Sequence, residues 1–391
     1  MKKIIVIITI LLLTSCKASN KPSVSEEFLN TKTNEFEYGS LVKLSNLFED
    51  KELKFTQEYL DTSFIGEKTS YIEFEKNNQL FKEEYTYSVV DTTEPLIWIA
   101  GSYTITKGSE DNLTKKIICA DNHAKKPNCY IEGDYDVNKV GSYKLKFIAE
   151  DEYGNKESAN FTLYVTNPKN SNGSTNSNTN KIRTDIKDVI KKYKNEDTMI
   201  GIDVSKYQGD INWKKVKDAG VEFAMIRMGT QWYFGEEYII DPYFEKNAEG
   251  ALANDIKVGI YFYSYARNAE EGKEQAQYVI DNIKKYDITF PVAYDWESYS
   301  TWNDLGISLF DLQSAANAFQ DEVRKAGYTP IHYGSKNYLN AFWQPIKYDT
   351  WLAHYTKGTS DYDKDYKMWQ LCNNGLVDGI SGDVDIDVYY K

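Results

Sequence analysis

Apolar runs that alternate with amphipathic stretches over residues 199–391 constrain the fold of this chain more than any other feature. Clear examples are the apolar run Val258–Tyr265, the helical pattern Ala269–Ile283 and the apolar run Phe290–Glu297. Repeated β–α units with short connections predict a parallel sheet, and at this length a closed barrel. After Pro330 the apolar runs follow one another with less helix between them. We therefore predict an α/β fold in which residues 199–391 form an irregular TIM-like (β/α) barrel.

Residues 31–166 show a different pattern, in which short alternating runs are interrupted by Gly, Asn and Asp. A weak internal repeat ends once in Tyr85–Val90 and again in Phe161–Val165. This pattern predicts two small all-β sandwich modules, at 31–90 and 91–166. Their boundaries resemble those of bacterial immunoglobulin-like surface modules, for which we expect a spacer role rather than glycan binding. Residues 167–198 begin with an Asn- and Ser-rich stretch, which predicts a flexible linker followed by a short helix.

The N-terminus has the pattern of a targeting segment. Lys2 and Lys3 precede the apolar run Ile4–Leu13, which is too short to span a bilayer as a helix. The sequence Leu13-Thr14-Ser15-Cys16 then resembles the bacterial lipobox. We therefore predict that residues 1–16 are a lipoprotein signal peptide and that lipid on Cys16 anchors the protein outside the cytoplasm, in contact with the membrane. An ordinary signal peptide with a chance cysteine is the alternative.

Charge and cysteine content exclude several classes of partner. The net charge is −13, and no basic stripe is present, so we expect no nucleic acid partner. Cys119 and Cys129 flank a turn-like stretch and are predicted to form a disulfide, with two unrelated thiols as the alternative. The run Asp361–Asp365 resembles the start of a calcium loop, but Tyr366 stands where glycine is needed. We predict no metal site and no cofactor.

Acidic residues recur within three apolar runs of the predicted barrel. Asp203 follows Gly201-Ile202, Asp295 and Glu297 share the run Ala293–Glu297, and Asp385 lies near the C-terminus between Asp383 and Asp387. Strand side chains alternate faces, so residues two apart share a face about 6.6 Å apart. Carboxylates that meet at a barrel mouth raise each other's pKa, so that one stays protonated near neutral pH. Glycoside hydrolysis needs such a protonated acid beside a charged partner. For any single aspartate, a helix cap or loop position is the alternative.

Seven motifs occur in family order across residues 199–391, and together they resemble glycoside hydrolase family 25, the lysozymes first known from fungi, phages and streptomycetes. The motifs are Gly201–Gly209, Ile226-Arg227, Gly259–Tyr265, Asp295-Trp296-Glu297, Trp351–Tyr355, Trp369-Gln370 and Val384–Asp387. The resemblance implies an irregular barrel that needs no cofactor. It also implies cleavage of peptidoglycan glycan strands between N-acetylmuramic acid and N-acetylglucosamine.

The resemblance further implies roles for individual residues. Glu297 is expected to be the general acid, and Asp295 to orient the acetamido group of the substrate, which attacks the sugar carbon. Asp203 and Asp385 are expected to complete the acidic catalytic cluster. Residues expected to contact the saccharide are Tyr263, Tyr265, Tyr355, Gln208, Arg227, Trp351 and Trp369. Asp387 stands where the family often has Asn.

The motifs allow two other interpretations. The Asp-x-Glu pair also resembles family 18 chitinases, but two further aspartates that those enzymes carry are replaced here by Phe290 and Ala293. A non-catalytic glycan-binding or adhesion lipoprotein remains the alternative function. The presence of all four acidic residues of the predicted cluster argues against it.

Overall fold

The computed structural model describes most of the chain in two compact units, Met1–Val90 and Asp91–Lys391. The described residues are 23–24, 29, 33–168, 183–232, 237–343, 345–356 and 358–391. The predicted signal peptide with Cys16 and most of the predicted linker lie outside them. None of the helices in the described ranges combines the length and apolar character needed to cross a bilayer.

The first unit is built around a long antiparallel hairpin. Its elements are β1 (Ser23–Val24), β2 (Glu35–Glu37), α1 (Leu44–Leu47), β3 (Lys54–Phe55), β4 (Gly66–Lys76) and β5 (Gln79–Val90). Asn77 and Asn78 join β4 to β5 with positive φ angles of 51° and 61°, the conformation that a tight hairpin turn requires. The described strands of this unit form one sheet of order β1-β5-β4-β3, with β2 also paired to β5.

The second unit begins with a β-rich region over residues 91–166. Its elements are β6 (Leu96–Trp98), β7 (Ser102–Thr106), α2 (Leu113–Lys116), β8 (Ile118–Ala120), β9 (Asn128–Glu132), β10 (Gly141–Glu150) and β11 (Lys156–Thr166). They form a sheet of order β7-β11-β10-β9 and a separate β6–β8 pair. A disulfide between Cys119 in β8 and Cys129 in β9 joins the two sheets. The immunoglobulin-like character of residues 31–90 and 91–166 stays a prediction.

The remainder of the second unit alternates strands and helices, which confirms the mixed α/β class. Its helices are α3 (Ile186–Tyr193), α4 (Trp213–Asp218), α5 (Phe244–Leu252), α6 (Ala269–Ile283), α7 (Trp302–Leu305), α8 (Leu309–Lys325) and α9 (Lys336–Ala341). Its strands are β12 (Thr184–Asp185), β13 (Thr198–Val204), β14 (Phe223–Gln231), β15 (Tyr238–Ile240), β16 (Lys257–Tyr263), β17 (Val292–Asp295), β18 (Pro330–Ser335), β19 (Thr350–Ala353), β20 (Met368–Leu376) and β21 (Val384–Tyr390).

The strands close into a ring. From β13 through β14, β16, β17, β18 and β19 to β20, neighbouring strands run parallel. The last strand, β21, is antiparallel to both β20 and β13 and closes the circuit. We refer to this ring and its helices as the barrel. Because its parallel strands share one direction, their carboxyl ends meet at one end of the ring.

Two apolar layers hold the barrel together. Residues such as Phe223, Met225 and Met368 fill the interior, while a larger cluster lies between the strands and the helices. The interior is tightly packed at Gly201, where a Cβ would lie 2.5 Å from the ring of Phe223. An interior filled by side chains leaves the carboxyl ends of the strands as the place for a site.

The β-rich region packs directly onto the barrel within the second unit. Trp98 of β6 lies 5.2 Å from the ring of Tyr338 and 6.2 Å from that of Phe342. Ala120 of β8 belongs to the apolar cluster of the barrel. The side chain of Asn303 in α7 donates to the carbonyl oxygen of Ile117 (2.7 Å) and accepts from the backbone N–H of Cys119 (3.1 Å). The region is therefore a packed layer of the second unit.

We expect Asn303→Ala to lower the free energy of unfolding by about 1–3 kcal/mol, because it leaves two half-buried backbone groups without their partner. Urea unfolding of the full chain, followed by tryptophan fluorescence, measures the change. Asp304→Ala is the matched control: its ion pair with Lys115 is 65–69% exposed, so we expect a change of at most about 0.5 kcal/mol. Equal effects of the two substitutions would contradict the role given to Asn303.

Candidate active site

A groove opens at the carboxyl ends of the barrel strands. Its cavity measures about 700 Å³. Predicted site residues that line it are Asp203, Asp295, Glu297, Asp385, Gln208, Arg227, Tyr263, Tyr265, Trp351 and Tyr355. Trp369 does not line it: this side chain is 1% exposed inside the apolar cluster, and its indole N–H donates to the carbonyl oxygen of His354 (2.9 Å). The fold thus brings together acidic and aromatic residues that are widely separated in sequence.

Asp295 and Glu297 occupy different backbone environments. Strand β17 ends at Asp295, and Glu297 has φ −133° and ψ 16° at the start of a 3₁₀ turn over Ser298–Thr301. The predicted strand Phe290–Glu297 is therefore wrong at its end, and the spacing of 6.6 Å expected within one strand does not apply to this pair. Packing accounts for the turn. The ring of Trp296 is fully buried and lies 5.1 Å from the ring of Tyr299, and this contact stabilises the turned backbone.

Burial controls the protonation of this pair. Asp295 is 4% exposed, and burial together with the neighbouring Glu297 raises its pKa well above the usual range. The positive charge of Arg227 acts in the opposite direction. Glu297 reaches solvent in the groove, yet the surrounding walls bury enough of its carboxyl to raise its pKa as well. Raised pKa values in two neighbouring carboxyl groups favour the retention of a proton by the pair.

A second group of carboxyls lies where β21 meets β13. Asp203 and Asp385 are register partners in this antiparallel pair. Burial and the charges of Asp385 and Asp387 raise the pKa of Asp203, and burial raises that of Asp385 to about 6. Asp387 is fully buried and accepts a hydrogen bond from the indole N–H of Trp351 (2.8 Å). The predicted acidic cluster is therefore assembled by the closing strand.

Gln370 connects this second group to the aromatic wall of the groove. Its Nε2 donates to Asp203 Oδ2 (2.8 Å), and its Oε1 accepts from the hydroxyl groups of Tyr333 (3.0 Å) and Tyr355 (2.8 Å). All these distances are those of good hydrogen bonds. One buried amide thus fixes the orientation of a carboxylate and of two tyrosines.

Arg227 and Gln208 are held by contacts of their own. Arg227 donates twice to Asp241 Oδ2, at 2.8 and 2.6 Å, and its guanidinium lies 5.2 Å from the ring centre of Tyr207. Gln208 accepts from the backbone N–H of Ser205 (2.9 Å), and its Nε2 donates to the backbone carbonyl of Asp383 (3.2 Å), just before β21. The amide oxygen and the amide nitrogen of Gln208 are therefore both hydrogen-bonded to backbone groups of the groove wall.

Aromatic side chains form an exposed rim around the carboxyls. Tyr207, Trp232 and Tyr355 are 77%, 56% and 51% exposed, and the rings of Tyr263 and Tyr265 lie 5.3 Å apart. Exposed rings with one polar atom are suited to the flat faces of sugar rings. The rim therefore favours a saccharide as the ligand of the groove.

Several groove residues lie outside the set of predicted site residues, among them Tyr261, Trp232, Tyr333 and Gln370. Tyr261 precedes Tyr263 by two positions on β16, so strand alternation was a signal that places it on the same face. Trp232 lies directly after β14, and no alternating strand pattern indicates its position in the groove. Among the described residues, no group of three potential metal ligands lies within the groove.

Comparisons with known proteins agree with this geometry. Residues 202–380 match the model of glycosyl hydrolases family 25. The uncharacterized protein YegX of Escherichia coli K12 is 30% identical over 201 residues, which cover 49% of this chain and 70% of YegX. Lysozyme M1 of Streptomyces globisporus is 30% identical over 200 residues, or 47% of this chain and 65% of that protein. A solved family 25 glycosyl hydrolase from Bacillus anthracis is 25% identical with a TM-score of 0.43, covering 49% of this chain and 89% of its own.

The matched span includes three of the four acidic residues of the predicted cluster. Asp203, Asp295 and Glu297 fall within residues 202–380, and Asp385 lies just beyond them. The similarity to YegX extends over more than two thirds of that relative. The chain therefore belongs to glycosyl hydrolase family 25 and is a glycoside hydrolase.

Proposed function

We propose that this protein is a peptidoglycan hydrolase, a lysozyme that cleaves the β-1,4 bond between N-acetylmuramic acid and N-acetylglucosamine. The observation that carries the proposal is the neighbouring carboxyl pair Asp295 and Glu297, both with raised pKa values, in a groove rimmed by aromatic side chains. The similarity to Lysozyme M1 of Streptomyces globisporus supports this choice of substrate.

In the proposed mechanism, Glu297 donates its proton to the glycosidic oxygen as the bond to the anomeric carbon breaks. The acetamido oxygen of the same sugar attacks that carbon, and Asp295 accepts a hydrogen bond from the acetamido N–H. Water then opens the cyclic intermediate while the Glu297 carboxylate takes up the proton. Raised pKa values suit this cycle, because Glu297 must carry a proton at the first step. Tyr355, held by Gln370, and the neighbouring rings of Tyr263 and Tyr265, which are tilted by 57° to each other, position the sugar.

We further propose an arrangement for the whole chain. Lipid on Cys16 anchors the protein on the outer side of the bacterial membrane, and immunoglobulin-like modules at 31–90 and 91–166 precede an irregular TIM-like catalytic barrel. The apolar run and lipobox of the N-terminus support the anchor. The closed ring of β13 to β21 supports the TIM-like assignment.

Replacing Glu297 with Gln removes the proton donor while keeping the size of the side chain. We expect the rate of reducing-sugar release from purified peptidoglycan to fall by about 10² to 10⁴-fold, with glycan binding retained. Glu270→Gln, at an exposed position on α6, is the matched control and keeps wild-type activity. A wild-type chain that releases no sugar contradicts the proposed peptidoglycan hydrolase activity. A Glu297→Gln variant with more than about a tenth of the wild-type rate excludes Glu297 as the acid.

Asp295→Asn tests neighbouring-group participation. An amide oxygen still accepts the acetamido N–H, so we expect slower but measurable turnover, and poor cleavage of de-acetylated peptidoglycan by either protein. Because two displacements at one carbon retain its configuration, proton NMR of the first product should show the β-anomer. An initial α-anomer means inversion and rules out this mechanism.

Cys16→Ser tests the proposed anchor. We expect the variant to leave the membrane fraction, because lipid on one cysteine is the only attachment that the proposal includes. Fractionation with a high-salt wash, followed by immunoblotting, measures the distribution, and Cys372→Ser serves as a cysteine control that stays membrane-bound. A Cys16→Ser protein that remains in the washed membranes contradicts the anchor.

A further inference from the structure

Three aspartates lie together in the second unit, and none of them lines the groove. One carboxylate oxygen from each of Asp91, Asp121 and Asp151 lies within 4.8 Å of the others. Their exposed fractions are 7%, 1% and 8%. Asp121 directly follows β8 and Asp151 directly follows β10, while Asp91 begins the unit. Three loops of the β-rich region therefore converge at one buried point.

Only part of this acidic cluster is hydrogen-bonded. Asp91 Oδ1 accepts from Asn122 Nδ2 (3.0 Å), and Asp121 Oδ1 accepts from the backbone N–H of His123 (2.9 Å). The second oxygens of both side chains, Asp91 Oδ2 and Asp121 Oδ2, are buried without a hydrogen-bond partner. Buried polar atoms are nearly always paired, so two orphaned carboxylate oxygens beside a third carboxylate indicate a ligand.

Three basic side chains of the same region pair with carboxyls outside the cluster. Lys125 Nζ lies 3.1 Å from Asp311, Lys116 Nζ lies 2.6 Å from Asp111, and His123 Nδ1 lies 2.8 Å from Glu152. Buried carboxylates this close together are costly unless a cation neutralises them.

We propose that Asp91, Asp121 and Asp151 form a structural calcium site. The donor set is oxygen alone, which Ca²⁺ and Mg²⁺ prefer, whereas zinc sites use His and Cys. Calcium accepts six to eight oxygen ligands in a flexible geometry, whereas Mg²⁺ demands a near-ideal octahedron and keeps several waters. Three carboxylates fixed by separate loops, with one oxygen of each within 4.8 Å of the others, therefore favour calcium. The site is separate from the run Asp361–Asp365 considered from the sequence.

The site lies at the junction between the β-rich region and the barrel. The carbonyl oxygen of Asp121 accepts a hydrogen bond from the backbone N–H of Leu309 (2.7 Å), and that of Asn122 accepts from Phe310 (3.2 Å). Both donors belong to the first turn of α8. A cation held by Asp121 therefore fixes the loop to which the first turn of α8 is hydrogen-bonded. It thereby stabilises this contact between the β-rich region and the barrel.

Calorimetric titration of CaCl₂ into the EDTA-treated full chain tests the proposal. We expect saturable binding at a single site, with MgCl₂ binding more weakly. Asp121→Asn and Asp91→Asn should each weaken calcium binding by more than about 10-fold, since even outer-shell partners are worth roughly 10 to 100-fold in metal affinity. Asn keeps the Oδ1 acceptor that holds the turn, and far-UV circular dichroism verifies that both variants are folded.

Asp134→Asn provides the matched control, because Asp134 is an exposed aspartate of the same region and should leave binding unchanged. Thermal unfolding supplies a second readout: calcium should raise the Tm of the wild type and of Asp134→Asn, but not of Asp121→Asn. The proposal is overturned by a wild-type chain that binds no calcium and has the same Tm in EDTA. It is equally overturned if Asp121→Asn binds like wild type, or if magnesium binds as tightly as calcium.

Discussion

The burial of several carboxyl groups next to one another is the physical constraint on which the rest of this structure depends. A buried carboxylate is stable only if it is hydrogen-bonded, protonated or paired with a cation, and the barrel uses the first two of these solutions. Asp203 is hydrogen-bonded to Gln370, whereas burial raises the pKa values of Asp295 and Glu297 and so favours a proton on that pair. The antiparallel strand β21 sets the arrangement, because its register places Asp385 opposite Asp203. A reversal of that one strand relative to its neighbours is therefore what completes the acidic cluster.

Features that depend on local alternation could be predicted from the sequence. The bounds of α6, Ala269–Ile283, agree with the prediction because its apolar spacing is regular and Asn268 caps its first turn. The acidic residues at strand ends were also recognisable, since apolar runs that contain carboxylates are unusual. The parallel barrel follows from the same alternation of strands and helices. These signals are each contained within about twenty residues of chain.

Features that depend on contacts distant in sequence could not be predicted. The departure of Glu297 from β17 follows from the packing of Trp296, and nothing in the local pattern of that run distinguishes it from a longer strand. The role of Gln370 requires that three strands bring Asp203, Tyr333 and Tyr355 to one amide. The Trp369-Gln370 motif indicates that this position is used, but the residues around it in sequence do not reveal these three contacts.

The packing of the β-rich region onto the barrel has a consequence for the boundaries of an isolated enzyme. A fragment trimmed to the family match would remove Trp98 from the rings of Tyr338 and Phe342 and expose them to water. It would also uncover the side chain of Asn303 next to the turn that follows Glu297. Newly exposed aromatic surface promotes self-association. The smallest soluble form of the catalyst therefore begins near Asp91, well before the first strand of the barrel.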